Sequence, residues 1–119
     1  MNKNTNEQTL SIIKPDAVER NLDDKIKIFF EENNLKIINI HPSLLPSYKG
    51  LNTHKRVLNN KEKYSGCTVH FVSPKLDSGK IISQKKIIIE KNETENSLQK
   101  KILRLEHTLY PISIISIFR

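Results

Sequence analysis

Short apolar segments of two kinds follow one another along this chain, and their spacing limits the possible folds more than any other feature. Residues 67–72 and 81–89 have the β-branched and aliphatic content of strands, and the polar turn SPKLDSGK separates them. A later segment has its apolar residues at helical spacing: Leu98, Ile102, Leu105 and Leu109. The pattern predicts strands packed against a long helix, with this stripe in the core.

The first forty residues predict a β-α-β unit. Residues 9–13 and 35–40 are strand-like, and residues 24–33 place Ile26, Phe29 and Phe30 on one face of a helix that Asn33 and Asn34 end. Asn92, with Glu95 three residues later, is the predicted N-cap of the last helix, and the apolar tail PISIISIF needs cover. With 119 residues, we expect an α/β fold, a small mixed sheet of four or five strands with flanking helices.

Charge and composition favour a soluble globular protein that does not bind nucleic acid. The net charge of +7 would suit nucleic acid, but the lysines form no stripe and are not interleaved with stacking aromatic residues. The polar start MNKNTNEQ lacks the apolar core of a signal peptide, and no apolar run is long enough for a membrane helix. We therefore expect a cytoplasmic protein, in which the single Cys67 is a small buried residue.

Asn39 and His41 stand two positions apart at the end of a predicted strand, where Pro42 stops the ladder. Because side chains alternate between the faces of a strand, both point to the same side. An amide donor beside an imidazole suits a developing oxyanion, and Asp77 in a turn could orient and charge that imidazole. The trio fits acyl or formyl transfer, although such a pair at a strand end is more often a hydrogen-bonding device of a loop.

The sequence around this trio resembles that of the phosphoribosylglycinamide formyltransferases, enzymes with a Rossmann-like fold. The resemblance rests on NIHPSLLPSYKGLNTH, GCTVHFVSPKLDSGKII and LEHTLYP and extends over about 38–118. It implies transfer of a formyl group from 10-formyltetrahydrofolate to the amine of glycinamide ribonucleotide, without a metal. The chain would then supply the catalytic half of such an enzyme, a truncated half domain.

The resemblance also assigns roles to individual residues. Asn39 and His41 would stabilise the oxyanion, and Asp77 would hold His41 protonated and order a water that carries the proton. Gly50 would let the backbone approach the ribonucleotide, and Glu106 would accept hydrogen bonds from the ribose. The folate side would be lined by Ser73, Pro74, Lys75 and Leu76. His54 and His70 also match family positions and are interpreted as structural.

An earlier segment, over about 7–38, resembles the N-terminus of nucleoside diphosphate kinases. The resemblance rests on EQTLSIIKPDAVERNL and KIKIFFEENNLKII, in which Lys14 would correspond to a lysine near the nucleotide phosphates. All four histidines lie after this segment, so it lacks the histidine that such kinases phosphorylate. We therefore predict two parts, a kinase-like βαβ fragment over 1–38 and a formyltransferase-like part over 39–119.

Other functions remain open. All three glycines, the first of which is Gly50, follow residue 38, so no Gly-rich phosphate loop precedes the catalytic trio. This favours an inactive remnant of two fused genes, or a binding module, as one alternative. A formyltetrahydrofolate hydrolase is another, because it needs the trio but no ribonucleotide site. An oligomer or a complementing polypeptide could also complete the site.

Overall fold

The computed structural model describes residues 23–34 and 36–118, which fall into two compact units divided between Leu35 and Lys36. In the first unit, helix α1 (Asp23–Glu32) lies within one residue of its predicted bounds. Asn33 ends it as expected, because both its backbone N–H and its side-chain amide donate to Phe29 O, and Asn34 then takes a left-handed conformation. The predicted strand over 9–13 lies outside the described residues.

The second unit is built on a sheet of three strands in the order β1-β2-β3. The strands are β1 (Ile38–His41), β2 (Tyr64–Phe71) and β3 (Ile81–Ile88), and both pairings are antiparallel. The predicted α/β class, a small sheet with flanking helices, is confirmed. Within the described residues the sheet has three strands where four or five were expected, and none of them is parallel.

One face of this sheet carries the core. Helix α2 (Thr53–Asn59) and helix α3 (Glu95–Ile117) pack with the strands, and the buried residues of the cluster are Val57, Cys67, Val69, Leu98, Ile102 and Leu109. Three of the four residues of the predicted helical stripe are therefore buried, and the fourth, Leu105, packs partly buried against them. Cys67 is fully buried, as predicted.

Helix α3 differs from the prediction at both ends. Its N-cap is Thr94 and not Asn92, because Thr94 has extended backbone and its side chain accepts from Ser97 N, while Ser97 Oγ accepts from Thr94 N. At the other end, the apolar tail continues the helix through Pro111 to Ile117. The helix buries Ser113 there but leaves Ile112 and Ile115 exposed, and Phe118, the C-cap residue, is exposed as well.

Candidate functional site

His41 is the last residue of β1, and the chain turns at once after it, with Ser43 N donating to His41 O. The side chain is buried, with 6% of the residue exposed. Its Nε2 lies 2.8 Å from Tyr48 O, and its Nδ1 lies 3.4 Å from Asp77 Oδ2. Both ring nitrogens therefore face hydrogen-bond acceptors.

Asp77 is brought to His41 by the turn between β2 and β3, here called the Asp77 turn (residues 72–80). Asp77 has a left-handed backbone with φ of 45°, and Ser73 Oγ braces the turn by donating to Ser78 O over 2.6 Å. The same carboxylate oxygen that faces His41 also accepts from Gly50 N at 2.7 Å. One oxygen of Asp77 thus joins the turn to both the strand end and the loop after it.

The loop after β1, here called the proline loop (residues 42–52), is held in a specific conformation. Tyr48, Gly50 and Asn52 all have positive φ, at 58°, 85° and 56°, so the backbone reverses repeatedly. Arg56 on α2 stabilises it by donating from Nε to Leu51 O and from Nη2 to Lys49 O. Such a loop can keep Tyr48 O and Gly50 N aimed at the pair of His41 and Asp77.

A second contact joins the proline loop to the Asp77 turn. Lys49 Nζ donates to Ser78 Oγ at 2.6 Å, and a Cβ atom added at Gly50 would lie 3.7 Å from Leu76 Cδ2. Lys49 and Ser78 were not among the predicted site residues, because only the folded loops bring them together. One indication of this contact was present in the sequence, because Ser78 stands next to Asp77 in a predicted turn.

Asn39 lies on β1 two residues before His41, with its side chain exposed. Its Cα partner on β2 is His70, and that of His41 is Thr68. Cross-strand partners share a face of the sheet, so these four residues lie on one face and the core on the other. The predicted placement of Asn39 and His41 on the same side agrees with this register.

The residues predicted to line the folate side belong to the Asp77 turn. Ser73 is half-buried and braces the turn, whereas Pro74, Lys75 and Leu76 are exposed. Together with Gly50 they lie on the two loops that meet at Asp77. The structure therefore brings most of the predicted site residues into one region.

Glu106, the predicted ribose ligand, has no hydrogen bond or ion pair to the trio within the described residues. It lies half-buried on α3, close enough to Cys67 that its charge helps to raise the pKa of that thiol. Burial raises the pKa of the Glu106 carboxyl group to about 7. Near neutral pH this group can therefore exist in both protonation states.

Over residues 23–34 and 36–118, no group of three or more His, Cys, Asp or Glu side chains could hold a metal ion. In the same part of the chain, no helix is long and apolar enough to cross a membrane.

Comparison with protein families gives a match to the formyl transferase family over residues 27–114. Phosphoribosylglycinamide formyltransferase of Escherichia coli (strain K12) is 40% identical over 79 residues, which are 66% of this chain and 37% of that protein. The trifunctional purine biosynthetic protein adenosine-3 of Homo sapiens is 40% identical over 86 residues, 72% of this chain and 8% of that protein.

Solved structures show the same similarity. The phosphoribosylglycinamide formyltransferase of Anaplasma phagocytophilum superposes with a TM-score of 0.71 at 35% identity, over 86% of this chain and 55% of that one. The enzyme of Campylobacter jejuni gives a TM-score of 0.69 at 33% identity, over 83% of this chain and 63% of that one. The chain thus spans about two thirds or less of the relatives that it matches.

Proposed function

Because this chain belongs to the formyl transferase family, we propose that it carries the catalytic half of a phosphoribosylglycinamide formyltransferase. The reaction is transfer of a formyl group from 10-formyltetrahydrofolate to the amine of glycinamide ribonucleotide, a step of purine synthesis. The E. coli and Anaplasma proteins that bear this name are 40% and 35% identical to the chain. The contact of His41 with Asp77 carries the proposal.

The surroundings of His41 suit a doubly protonated ring. Tyr48 O is a carbonyl oxygen and can only accept, so Nε2 must donate to it, and an ionised Asp77 carboxylate likewise can only accept from Nδ1. A buried imidazolium beside the reacting carbonyl stabilises the negative charge that develops on its oxygen. Asp77 supplies the counter-charge that keeps the ring in that form.

The chemical step then proceeds in two stages. The amine nitrogen attacks the formyl carbon, and the carbonyl electron pair moves to oxygen, which Asn39 and His41 stabilise. The bond from carbon to the folate nitrogen then breaks, while the proton of the attacking amine passes through a water beside Asp77 to that nitrogen. The formyl group ends on the amine, and no electrons are exchanged with a cofactor.

The two loops would hold the two substrates. We assign the ribonucleotide to the proline loop at Gly50, where a positive φ and the missing side chain let the backbone come close. We assign the folate to the Asp77 turn, at Ser73, Pro74, Lys75 and Leu76. Glu106 would accept hydrogen bonds from the ribose hydroxyls, which would favour its ionised form against the effect of burial.

The proposal concerns a part of an enzyme, because the chain spans 37% of the E. coli relative and 55% of the Anaplasma structure. We expect the phosphate contacts to come from elsewhere, either another copy or a complementing polypeptide. The kinase-like interpretation of 1–38 also stays a prediction, since residues 1–22 lie outside the described part and the family match already begins at residue 27. A cytoplasmic location remains an expectation.

The test is formyl transfer by the purified chain from 10-formyltetrahydrofolate to glycinamide ribonucleotide. We expect Asn39→Ala to lower kcat about 100-fold or more, as loss of an oxyanion donor does elsewhere. Asp77→Asn should also lower kcat, because it removes the counter-charge of His41 and the carboxylate that orders the water. The matched controls are Asn96→Ala and Glu90→Gln, which change the same chemical groups at exposed positions away from the site. Wild-type rates in the two site variants would disprove the assigned roles.

The same assay separates the alternatives. Release of formate without transfer, abolished by Asp77→Asn, would indicate a formyltetrahydrofolate hydrolase. A folded sample without either reaction would favour a remnant that keeps the catalytic residues, which is the second candidate because the chain covers so little of its relatives.

A further inference from the structure

His70 presents a buried polar atom with no partner among the described residues. The residue is 2% exposed, its Nδ1 lies 2.9 Å from Phe71 O, and its Nε2 has no hydrogen bond. A carbonyl oxygen only accepts, so Nδ1 carries a proton, and in the tautomer protonated there alone Nε2 is an acceptor. A buried acceptor without a donor costs free energy, so such an atom in a folded protein indicates a functional role or a missing partner.

The strand register places this acceptor beside the proposed oxyanion site. His70 is the direct cross-strand partner of Asn39, on the face that also carries His41 and Thr68. Directly opposed Cβ atoms lie about 4.5–5.5 Å apart in an antiparallel pair. The Asn39 amide and the His70 ring are therefore within reach of each other across the two strands.

Asn39 needs such a partner to work. A carboxamide has an accepting oxygen and a donating nitrogen of similar shape, and only the N–H side stabilises an oxyanion. The Asn39 side chain is exposed, and no hydrogen bond to another of the described residues fixes which way its amide faces. An acceptor on the neighbouring strand would select the N–H side, because Nε2 cannot bond to the amide oxygen.

We propose that His70 is the positioning residue for Asn39, an inference that rests on the proposed formyl transfer. His70 Nε2 accepts one hydrogen of the Asn39 amide nitrogen and leaves the second hydrogen of the same nitrogen directed at the oxyanion. His70 touches neither substrate and acts only through Asn39. It differs in this from His41, whose two nitrogens face Tyr48 O and Asp77 Oδ2.

The kinetic test compares two replacements of His70. Phe fills the space but has no acceptor, whereas Gln keeps an oxygen acceptor at about the position of Nε2. We expect His70→Phe to lower kcat at least about tenfold with KM for the folate nearly unchanged, and His70→Gln to recover much of the rate. In the background of Asn39→Ala, His70→Phe should cause no further loss, since residues that act as one unit are not additive.

A second measurement does not depend on turnover. In the ¹⁵N-labelled full chain, His70 should show the tautomer with the proton on Nδ1, and the Asn39 side-chain amide signals should shift in His70→Phe but return in His70→Gln. The control is Ser65→Ala, which removes another buried polar atom without a partner from the same strand, where Ser65 pairs with Ile87. It should leave the Asn39 signals unchanged.

Two results would overturn the proposal: Asn39 signals that are the same in His70→Phe and in the wild type, or rate losses that add in the double variant. Failure of the proposed function would look different. A folded wild-type chain that transfers no formyl group would remove the kinetic test, but the amide signals would still decide whether His70 positions Asn39.

Discussion

Glu106 makes the stability of this protein depend on pH in a predictable direction. Burial raises the pKa of its carboxyl group from 4.5 to about 7, so the folded state holds the proton more tightly than the unfolded chain. The contribution to stability is fully present below pH 4.5 and is lost as the pH rises through about 7. We expect the Tm of the wild type to fall as the pH rises through about 7, and the Tm of Glu106→Gln to fall less over the same range.

The matched control for this prediction is Glu90→Gln, which neutralises an exposed carboxylate. It should keep the wild-type dependence of Tm on pH. Parallel curves for wild type and Glu106→Gln would show that the carboxyl group of Glu106 is not buried as described.

The thiol of Cys67 is expected to react slowly with thiol reagents. Burial, followed by the charge of Glu106, raises the pKa of its thiol from 9.0 to about 11. At mildly alkaline pH the reactive thiolate is then roughly 100-fold rarer than in an unfolded chain, and burial limits access further. A thiol reagent that gives a coloured product should react at least about 100-fold more slowly with the native chain than with the chain in denaturant. Equal rates would contradict the burial of Cys67.

The contact of His41 with Asp77 was predictable, but the other contacts of the two loops were not. Asn39, His41 and Asp77 were expected from a strand end, a turn and a family resemblance, and the structure joins His41 to Asp77. Strand periodicity also gave the common face of Asn39 and His41. By contrast, Lys49 meets Ser78 only because two loops fold against each other, and no local pattern encodes a contact between loops.

The N-terminus of α3 depends on Thr94 more than on the predicted Asn92. Thr94 and Ser97 exchange two side-chain hydrogen bonds with backbone N–H groups, which satisfies donors that a helix end leaves free. We expect Thr94→Ala to lower the free energy of unfolding by about 1 kcal/mol, measured by urea titration. Thr108→Ala, at an exposed position inside the same helix, should have no such cost, because alanine favours helix.

The prediction failed at this cap for a physical reason. Asn92 with Glu95 and Thr94 with Ser97 have the same spacing, and the usual preference for Glu at the third helical position favoured the first pair. In the structure, Ser97 Oγ also bonds Glu93, and Glu93 pairs with Lys101 one turn further on. These contacts favour the start at Glu95, and they depend on long side chains whose positions the sequence pattern does not give.

Self-association is predicted by an exposed apolar patch at the C-terminal end of α3, formed by Ile112, Ile115 and the C-cap residue Phe118. These side chains are 61%, 55% and 47% exposed, and they lie close together along one side of the helix. Burial of one aliphatic side chain stabilises by about 1.5–3 kcal/mol, so Ile115→Lys should weaken association about tenfold or more. Sedimentation over a range of concentrations measures this.

Leu103→Lys is the control, because Leu103 is also exposed but lies about a third of a turn around the helix from Ile115. It should associate like the wild type. A wild-type chain that sediments as a monomer at every concentration would contradict the prediction.

The overall class was predicted more securely than the sheet itself. Apolar patterns gave β2, β3 and the core stripe of α3 close to where they lie, since each of these is set by its own residues. The number of strands and their directions are properties of pairing, which involves residues far apart in the chain. The antiparallel pairing of β1 with β2 could therefore not be predicted from the sequence pattern around Ile38.

The single oxygen of Asp77 that accepts from both Gly50 and His41 has a consequence for how the two substrates bind. Under the proposed assignment, the ribonucleotide occupies one of the joined loops and the folate the other. A ligand that orders its own loop then also orders part of the other, so each substrate should raise the affinity for its companion. Thermodynamic linkage makes the two increases equal, and the carboxylate that organises the chemistry would also make substrate binding cooperative.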